Sequence, residues 1–288
     1  MFKKVLLFFS LLLIFGCNTT PSKPETQKNL ILVSIAPYKF LTEQIAGSDF
    51  EIQTVVPGAA NPHSYEPTAA EVNKMSRSSI WFRIGEPFEE KIAPILLSRN
   101  DQFVICDLRD GISLIKSDNE DCKQCSKDHL DRHVWMSPRL ARSQAEIISK
   151  TLSQSYPQQR ETFQKNLKVL QENLSQLDTE IGSILKQVKN RTILVSHPAF
   201  GYFCKDYNLT QLSVEHEGRD PRPQHLEKIV GQIGLYNVKL ALTLPQHNNK
   251  GTQLIAKKLN LSTHLVDPYS PNYFETMKTI ALLLADEN

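Results

Sequence analysis

Eight short runs of apolar, β-branched-rich residues recur along the chain, four on each side of one long helical segment. The first four are NLILVSI (29–35), EIQTVVP (51–57), SIWFRIG (79–85) and QFVICDL (102–108). The last four are RTILVSH (191–197), TQLSVE (210–215), VKLALTLP (238–245) and STHLVDP (262–268). Nearly every position in them is apolar, whereas a half-exposed strand alternates. They read as parallel strands covered on both faces, with the helical stretches between them as βαβ crossovers.

From Pro157 the apolar residues are Phe163, Leu167, Leu170, Leu174, Leu177, Ile181, Ile184 and Val188. Their spacing alternates four and three, a heptad seam, and proline suits a first helical turn. A helix from there to Lys189 would be about 50 Å long at ~1.5 Å per residue. Such a seam also suits a dimerising coiled coil. Its place between two α/β groups favours a strut packed along both. The expected fold is α/β: two lobes, 29–156 and 190–288, each with a central, mostly parallel four-stranded sheet flanked by helices. One rigid helix, 157–189, joins them. Such a chain works as a monomer, with its ligand in the cleft at the carboxyl ends of the strands.

The N-terminus, MFKKVLLFFSLLLIFGC, places two lysines before an apolar run too short to span a bilayer comfortably. This is the layout of a secretory signal, residues 1–17. Ile14, Gly16 and Cys17 resemble the lipobox of bacterial lipoproteins, with Cys17 as the lipidated residue. An uncleaved N-terminal anchor is the alternative, and both readings tie an exported chain to a membrane. Residues 18–28, NTTPSKPETQK, form a polar tether. The formal net charge of +2 comes from the two leader lysines, so the exported part is neutral and no nucleic-acid surface is expected.

Metal-type side chains occupy the strand ends. His63 follows the second run, His133 lies in DRHVWMSP past the fourth, His197 ends the fifth and Asp267 ends the eighth. Two come from each lobe, and each precedes a helix start. Thr68 and Glu71 read as a capping box after His63. Three imidazoles and one carboxylate suit a first-row divalent ion. Four-coordination favours Zn²⁺, as does the affinity order over Mn²⁺ and Fe²⁺. The carboxylate keeps those harder ions as alternatives. Glu66 is a candidate hydrogen-bond partner for a ligand imidazole. His216, His225, His247 and His264 read as ordinary histidines, His216 and His247 on the surface.

NPHSYEPTAAEV, DRHVWMSP, SHPAFGYF and LVDPYSPNYFETM together resemble the metal-binding, solute-binding proteins of bacterial ABC importers, the zinc/manganese family (cluster A-I). The resemblance runs from about Asn29 to the C-terminus. It implies two α/β lobes bridged by a long helix, with ligands at His63, His133, His197 and Asp267. Histidine at the third position is typical of zinc-type members. It implies Zn²⁺ as cargo rather than cofactor, with Mn²⁺ or Fe²⁺ as alternatives. The implied partners are a permease and its ATPase, and the implied location is the periplasm or cell surface. Ser137 stands where the family has aspartate and is expected to cap the next helix.

Cys122, Cys125 and His129 lie in the acidic stretch SDNEDCKQCSKDHLDRHVW (117–135). The pair reads as a disulfide in an oxidising compartment, as part of an accessory metal-capture loop, or as an inert loop. Cys106 and Cys204 read as buried small hydrophobes. Catalysis is not expected: neither H-E-x-x-H nor G-x-S-x-G occurs. A secreted metallohydrolase and a surface adhesin are the readings from other classes.

Overall fold

The structure is a computed structural model and describes residues 29–116, 130–215 and 223–287. Cys17, Cys122, Cys125, His129 and His216 lie outside the described residues. The N-terminal lobe carries β1 (Asn29–Val33), α1 (Ala36–Ala46), β2 (Phe50–Thr54), α2 (Ala69–Met75), β3 (Ile80–Arg83), α3 (Pro87–Arg99), β4 (Val104–Asp107) and α4 (Pro138–Ser155). α5 (Arg160–Leu185) joins it to the second lobe. There follow β5 (Thr192–Val195), α6 (Gly201–Asp206), β6 (Thr210–Ser213), α7 (Pro223–Leu235), β7 (Leu240–Thr243), α8 (Lys250–Leu259), β8 (Ser262–Leu265) and α9 (Tyr273–Asp286).

All eight expected runs contain a strand, and all strand pairs are parallel. The sheet orders are β2-β1-β3-β4 and β6-β5-β7-β8. The central strands are buried on both faces, which accounts for their unbroken apolar sequence: Ile31, Leu32 and Val33 in β1 and Ile193, Leu194 and Val195 in β5 are fully buried. In each sheet the chain reverses direction beside its first strand, between β1 and β3 and again between β5 and β7. Such switch points open crevices at the carboxyl ends of the strands.

Helix starts follow local chemistry. The capping box forms at α2: Glu71 N–H donates to Thr68 Oγ1 at 3.3 Å, and Thr68 N–H to Glu71 Oε2 at 2.7 Å. Ser137 caps α4 by accepting the Leu140 N–H at 3.0 Å, as expected.

α5 buries its heptad seam. Phe163, Leu170, Leu174, Leu177 and Ile181 are each at most 2% exposed, Val188 is buried and Leu167 and Ile184 are half-buried, while Leu185, outside the expected seam, is buried beside them. It packs on α1 and α4 of one lobe and α9 of the other, so it is a strut and not a free coiled-coil face. Its α-helical part is about 39 Å long at ~1.5 Å per residue. It is shorter than expected because 3₁₀-type turns replace α-helix at both ends, over Pro157–Gln159 and through the bonds from Lys186 to Ser183 and Val188 to Leu185. One continuous core runs from Ile31 and Phe82 through the α5 seam to Val195, Leu242 and Ile280. No helix among the described residues is long and apolar enough to cross a membrane.

Candidate metal centre

Each of the three expected histidines is fixed by its own short loop. After β2, Asn61 Oδ1 accepts the His63 N–H at 2.9 Å and starts a single 3₁₀ turn, Pro62–Ser64. His133 is held by Asp131, whose Oδ1 accepts the backbone N–H at 2.8 Å and lies 2.7 Å from the ring Nδ1. His197 follows β5 and is 5% exposed. Asp131 in turn needs a glycine opposite it: a Cβ at Gly201 would come within 2.5 Å of its carboxylate.

The three side chains from the two lobes meet. His63 Nε2 and His197 Nε2 are 3.2 Å apart, and His197 Nε2 and His133 Nε2 are 3.3 Å apart. Nitrogen ligands at the corners of a Zn²⁺ tetrahedron are separated by about 3.3–3.4 Å, from metal bonds of about 2.0–2.1 Å. The observed edges therefore match a shared cation.

Tautomer settles the chemistry of those nitrogens. The Nδ1 of His63 faces Glu86 Oε2 at 3.0 Å, that of His133 faces Asp131 Oδ1 at 2.7 Å, and that of His197 faces Glu215 Oε2 at 3.0 Å. A carboxylate at Nδ1 keeps the proton there and leaves Nε2 as a lone pair. When all three rings are neutral, their Nε2 lone pairs converge where a positive charge or a donated hydrogen relieves their repulsion. The Tyr269 hydroxyl supplies such a hydrogen, 3.2 Å from His133 Nε2 and 3.5 Å from His63 Nε2.

Burial and charge divide the histidines. Burial pushes His197 well below the ordinary imidazole value, and the neighbouring histidines add to this. Burial pulls His63 the same way, but the Glu86 carboxylate outweighs it and raises the His63 pKa. Glu86 is itself held below the usual range, the His63 ring overcoming a strong burial penalty. Glu215 is brought down to about 2 against its burial by hydrogen bonds from His197 and His247.

Three expectations need revision or comment. Glu66 does not touch a ligand imidazole: its side chain is 73% exposed and pairs with Lys91 Nζ at 2.6 Å. The partner is Glu86, fully buried at the start of α3. The tight turn before it needs Gly85, whose φ is +86° and where a Cβ would lie 2.0 Å from the Arg109 guanidinium. His247 is not a surface residue: its side chain is 2% exposed and its ring stacks on His197 with centroids 3.9 Å apart. Asp267 does not join the cluster of donor atoms lying within 4.8 Å of one another, which holds His63, His133 and His197. Its Oδ1 accepts from Tyr269 N–H at 2.8 Å and Gln246 Nε2 at 3.0 Å instead.

Trp135 forms the wall behind the site, fully buried, with its ring 5.1 Å from that of His133. It also ties the lobes together. Its Nε1–H donates to Pro268 O at 2.8 Å, and its carbonyl accepts from the Tyr273 hydroxyl at 2.6 Å.

This arrangement has relatives. Residues 31–286 match the family described as zinc-uptake complex component A, periplasmic. A Chlamydia muridarum protein provisionally described as metal-binding is 32% identical over 283 residues, 98% of each chain. The zinc-binding lipoprotein AdcA of Streptococcus pneumoniae is 29% identical over 230 residues, 77% of this chain and 46% of its own length. Among solved structures, a crystal structure of ZnuA superimposes with a TM-score of 0.83 at 29% identity, covering 90% of this chain and 99% of its own. A zinc-bound ZnuA lacking residues 138–173 also gives 0.83 at 29% identity, covering 91% and 98%. The chain belongs to the family of periplasmic zinc-uptake components, the metal-binding, solute-binding proteins of zinc/manganese ABC importers.

Proposed function

We propose that this protein captures Zn²⁺ outside the cytoplasm, in the cleft between its lobes, and delivers it to an ABC permease driven by an ATPase. One observation carries the reading: the Nε2 atoms of three histidines from both lobes meet at 3.2 and 3.3 Å, each ring backed by a carboxylate at Nδ1. A nitrogen-rich, four-coordinate donor set favours Zn²⁺ over Mn²⁺ and Fe²⁺. His63, His133 and His197 are the ligands. Asp267 is proposed as the fourth, reached when its bonds to Gln246 and Tyr269 rearrange. The protein binds and releases its cargo and does no covalent chemistry. It acts as a monomer held at the periplasmic or outer surface of a membrane through lipidated Cys17.

Elemental analysis with competitive titration of Zn²⁺, Mn²⁺ and Fe²⁺ on the exported chain tests this. The expected result is one tightly held Zn²⁺ per chain that neither rival displaces. Preferential retention of Mn²⁺ or Fe²⁺ overturns the cargo, and absence of stoichiometric metal overturns the function.

A further inference from the structure

Asp267, the proposed fourth ligand, has its carboxylate outside the cluster formed by the donor atoms of His63, His133 and His197. Two hydrogen bonds hold it, and both fall on the same oxygen. Tyr269 N–H donates to Oδ1 at 2.8 Å, and Gln246 Nε2 donates to it at 3.0 Å. The Tyr269 bond lies within Asp267's own turn, which also closes from Ser270 N–H to Asp267 O at 3.2 Å. The Gln246 bond comes from another part of the chain, because Gln246 follows β7 whereas Asp267 follows β8.

Gln246 is tied to the other lobe as well. Its Nε2 donates a second hydrogen bond to Gly58 O at 2.8 Å. Gly58 belongs to the N-terminal-lobe loop that follows β2 and carries His63. Both partners are acceptors, so both require the NH₂ end of the amide, which has one hydrogen for each. The other end gains nothing: Oε1 is buried with no hydrogen-bond partner among the described residues. The loop that presents this amide is fixed from behind. Its next residue, His247, stacks on His197 with ring centroids 3.9 Å apart, and its Nδ1 lies 2.9 Å from Glu215 Oε2. Asn249 closes the same loop, Oδ1 accepting the Leu244 N–H at 3.1 Å and Nδ2 donating to Leu244 O at 2.8 Å. A carboxylate that moves to the cation therefore breaks from Gln246 and does not take the loop along.

We propose that Gln246 is a positioning residue that holds Asp267 off the empty centre, as a clamp between the lobes that the incoming cation has to undo. Its bond to Asp267 belongs to the empty form, so it lowers the apparent affinity of the site. Loss of the bond is partly offset when the freed amide turns to water and Oε1 gains the partner it lacks. The clamp also favours release: when Asp267 returns to Gln246, the cation is left on three imidazoles. This inference rests on the cation-capture reading above, with Asp267 as fourth ligand.

The test uses the full exported chain and Zn²⁺ itself as probe, read by competition with a chelating dye. Gln246→Met keeps the side-chain length and removes both donated hydrogens. It should raise Zn²⁺ affinity about two- to tenfold, the effect of a hydrogen bond made only by the empty form. Asp267→Ala should lower affinity, and adding Gln246→Met to it should bring no gain, because nothing is then withheld. Gln246→Ala is a second variant expected to act in the same direction as Gln246→Met, and circular dichroism checks the fold of each. Affinity that Gln246→Met lowers or leaves unchanged overturns the clamp, a loss meaning that Gln246 holds Asp267 in place on the cation. A gain that persists without Asp267 also overturns it, because the effect then belongs to the Gly58 bond alone. Full affinity in Asp267→Ala overturns the fourth ligand and the clamp with it. Failure of the unmodified protein to bind Zn²⁺ would instead overturn the function on which the clamp rests.

Discussion

Glu86 Oε2 lies 3.0 Å from Nδ1 of His63, and Glu86 is completely buried. A carboxylate in that position orients the ring, fixes its proton and increases the basicity of the ligating nitrogen. Glu86→Ala should therefore weaken Zn²⁺ binding by about ten- to a hundredfold. Glu66→Ala, by contrast, removes an exposed ion pair with Lys91 and should leave the affinity unchanged. Competitive titration of both variants checks the contrast; equal losses would mean that Glu86 is not the orienting group.

Removing a ligand imidazole should be more severe. His63→Ala, His133→Ala and His197→Ala are each expected to lower Zn²⁺ affinity by orders of magnitude with the far-ultraviolet dichroism unchanged. A variant that keeps its affinity shows that its histidine is not a ligand.

Proton release should identify which histidine is charged before the cation arrives. His63, raised by Glu86 despite its burial, carries a proton at pH values where an ordinary imidazole has lost it. His197, lowered by burial, is already neutral there. Zn²⁺ binding between about pH 6.5 and the raised His63 value should expel a proton from His63. Affinity should fall as pH drops through that range. Calorimetry in two buffers of different ionisation heat measures the release, and Glu86→Ala should reduce it. The same shifts act on the empty protein with opposite signs. The raised His63 contributes stability below about pH 6.5 that is lost as pH rises through its folded value, whereas the lowered His197 costs stability below about pH 6.5.

Leu174 sits fully buried in the middle of the α5 seam, in the core that spans both lobes. Leu174→Ala should cost about 2–5 kcal/mol of unfolding free energy through the cavity it leaves. Chemical denaturation followed by tryptophan emission and by dichroism should shift in one coincident transition. Separate transitions for the lobes would show that α5 does not couple them.

The sheets were legible because parallel strands buried on both faces leave unbroken apolar runs, and all eight runs hold a strand. The three histidines that the fold brings together were legible because they stand at strand ends before helix starts. Their carboxylate partners were harder to see. Asp131 is two residues before His133 and Glu215 ends the TQLSVE run, so each had a local signal. Glu86 is 23 residues from His63 and meets it only because β2 and β3 flank β1. His247 lies in LPQHNNK, which reads as an exposed polar turn. Its burial depends on Asn249 closing the loop across Leu244 and on Glu215 reaching it from another strand, and local sequence carries neither relationship.

The Tyr269 hydroxyl, within 3.5 Å of His133 Nε2 and His63 Nε2, also bears on the speed of loading under the proposed function. An ion arrives wrapped in its own hydration shell and meets a side chain already seated against the imidazoles. It has to exchange its first waters for nitrogen while Tyr269 gives up its hydrogen bond, so entry is expected to have a barrier beyond diffusion. Ions whose hydration water exchanges rapidly cross such a barrier readily, and ions that hold their water tightly are delayed. In the proposed capture role the cleft would thus sort cations by exchange rate as well as by equilibrium preference.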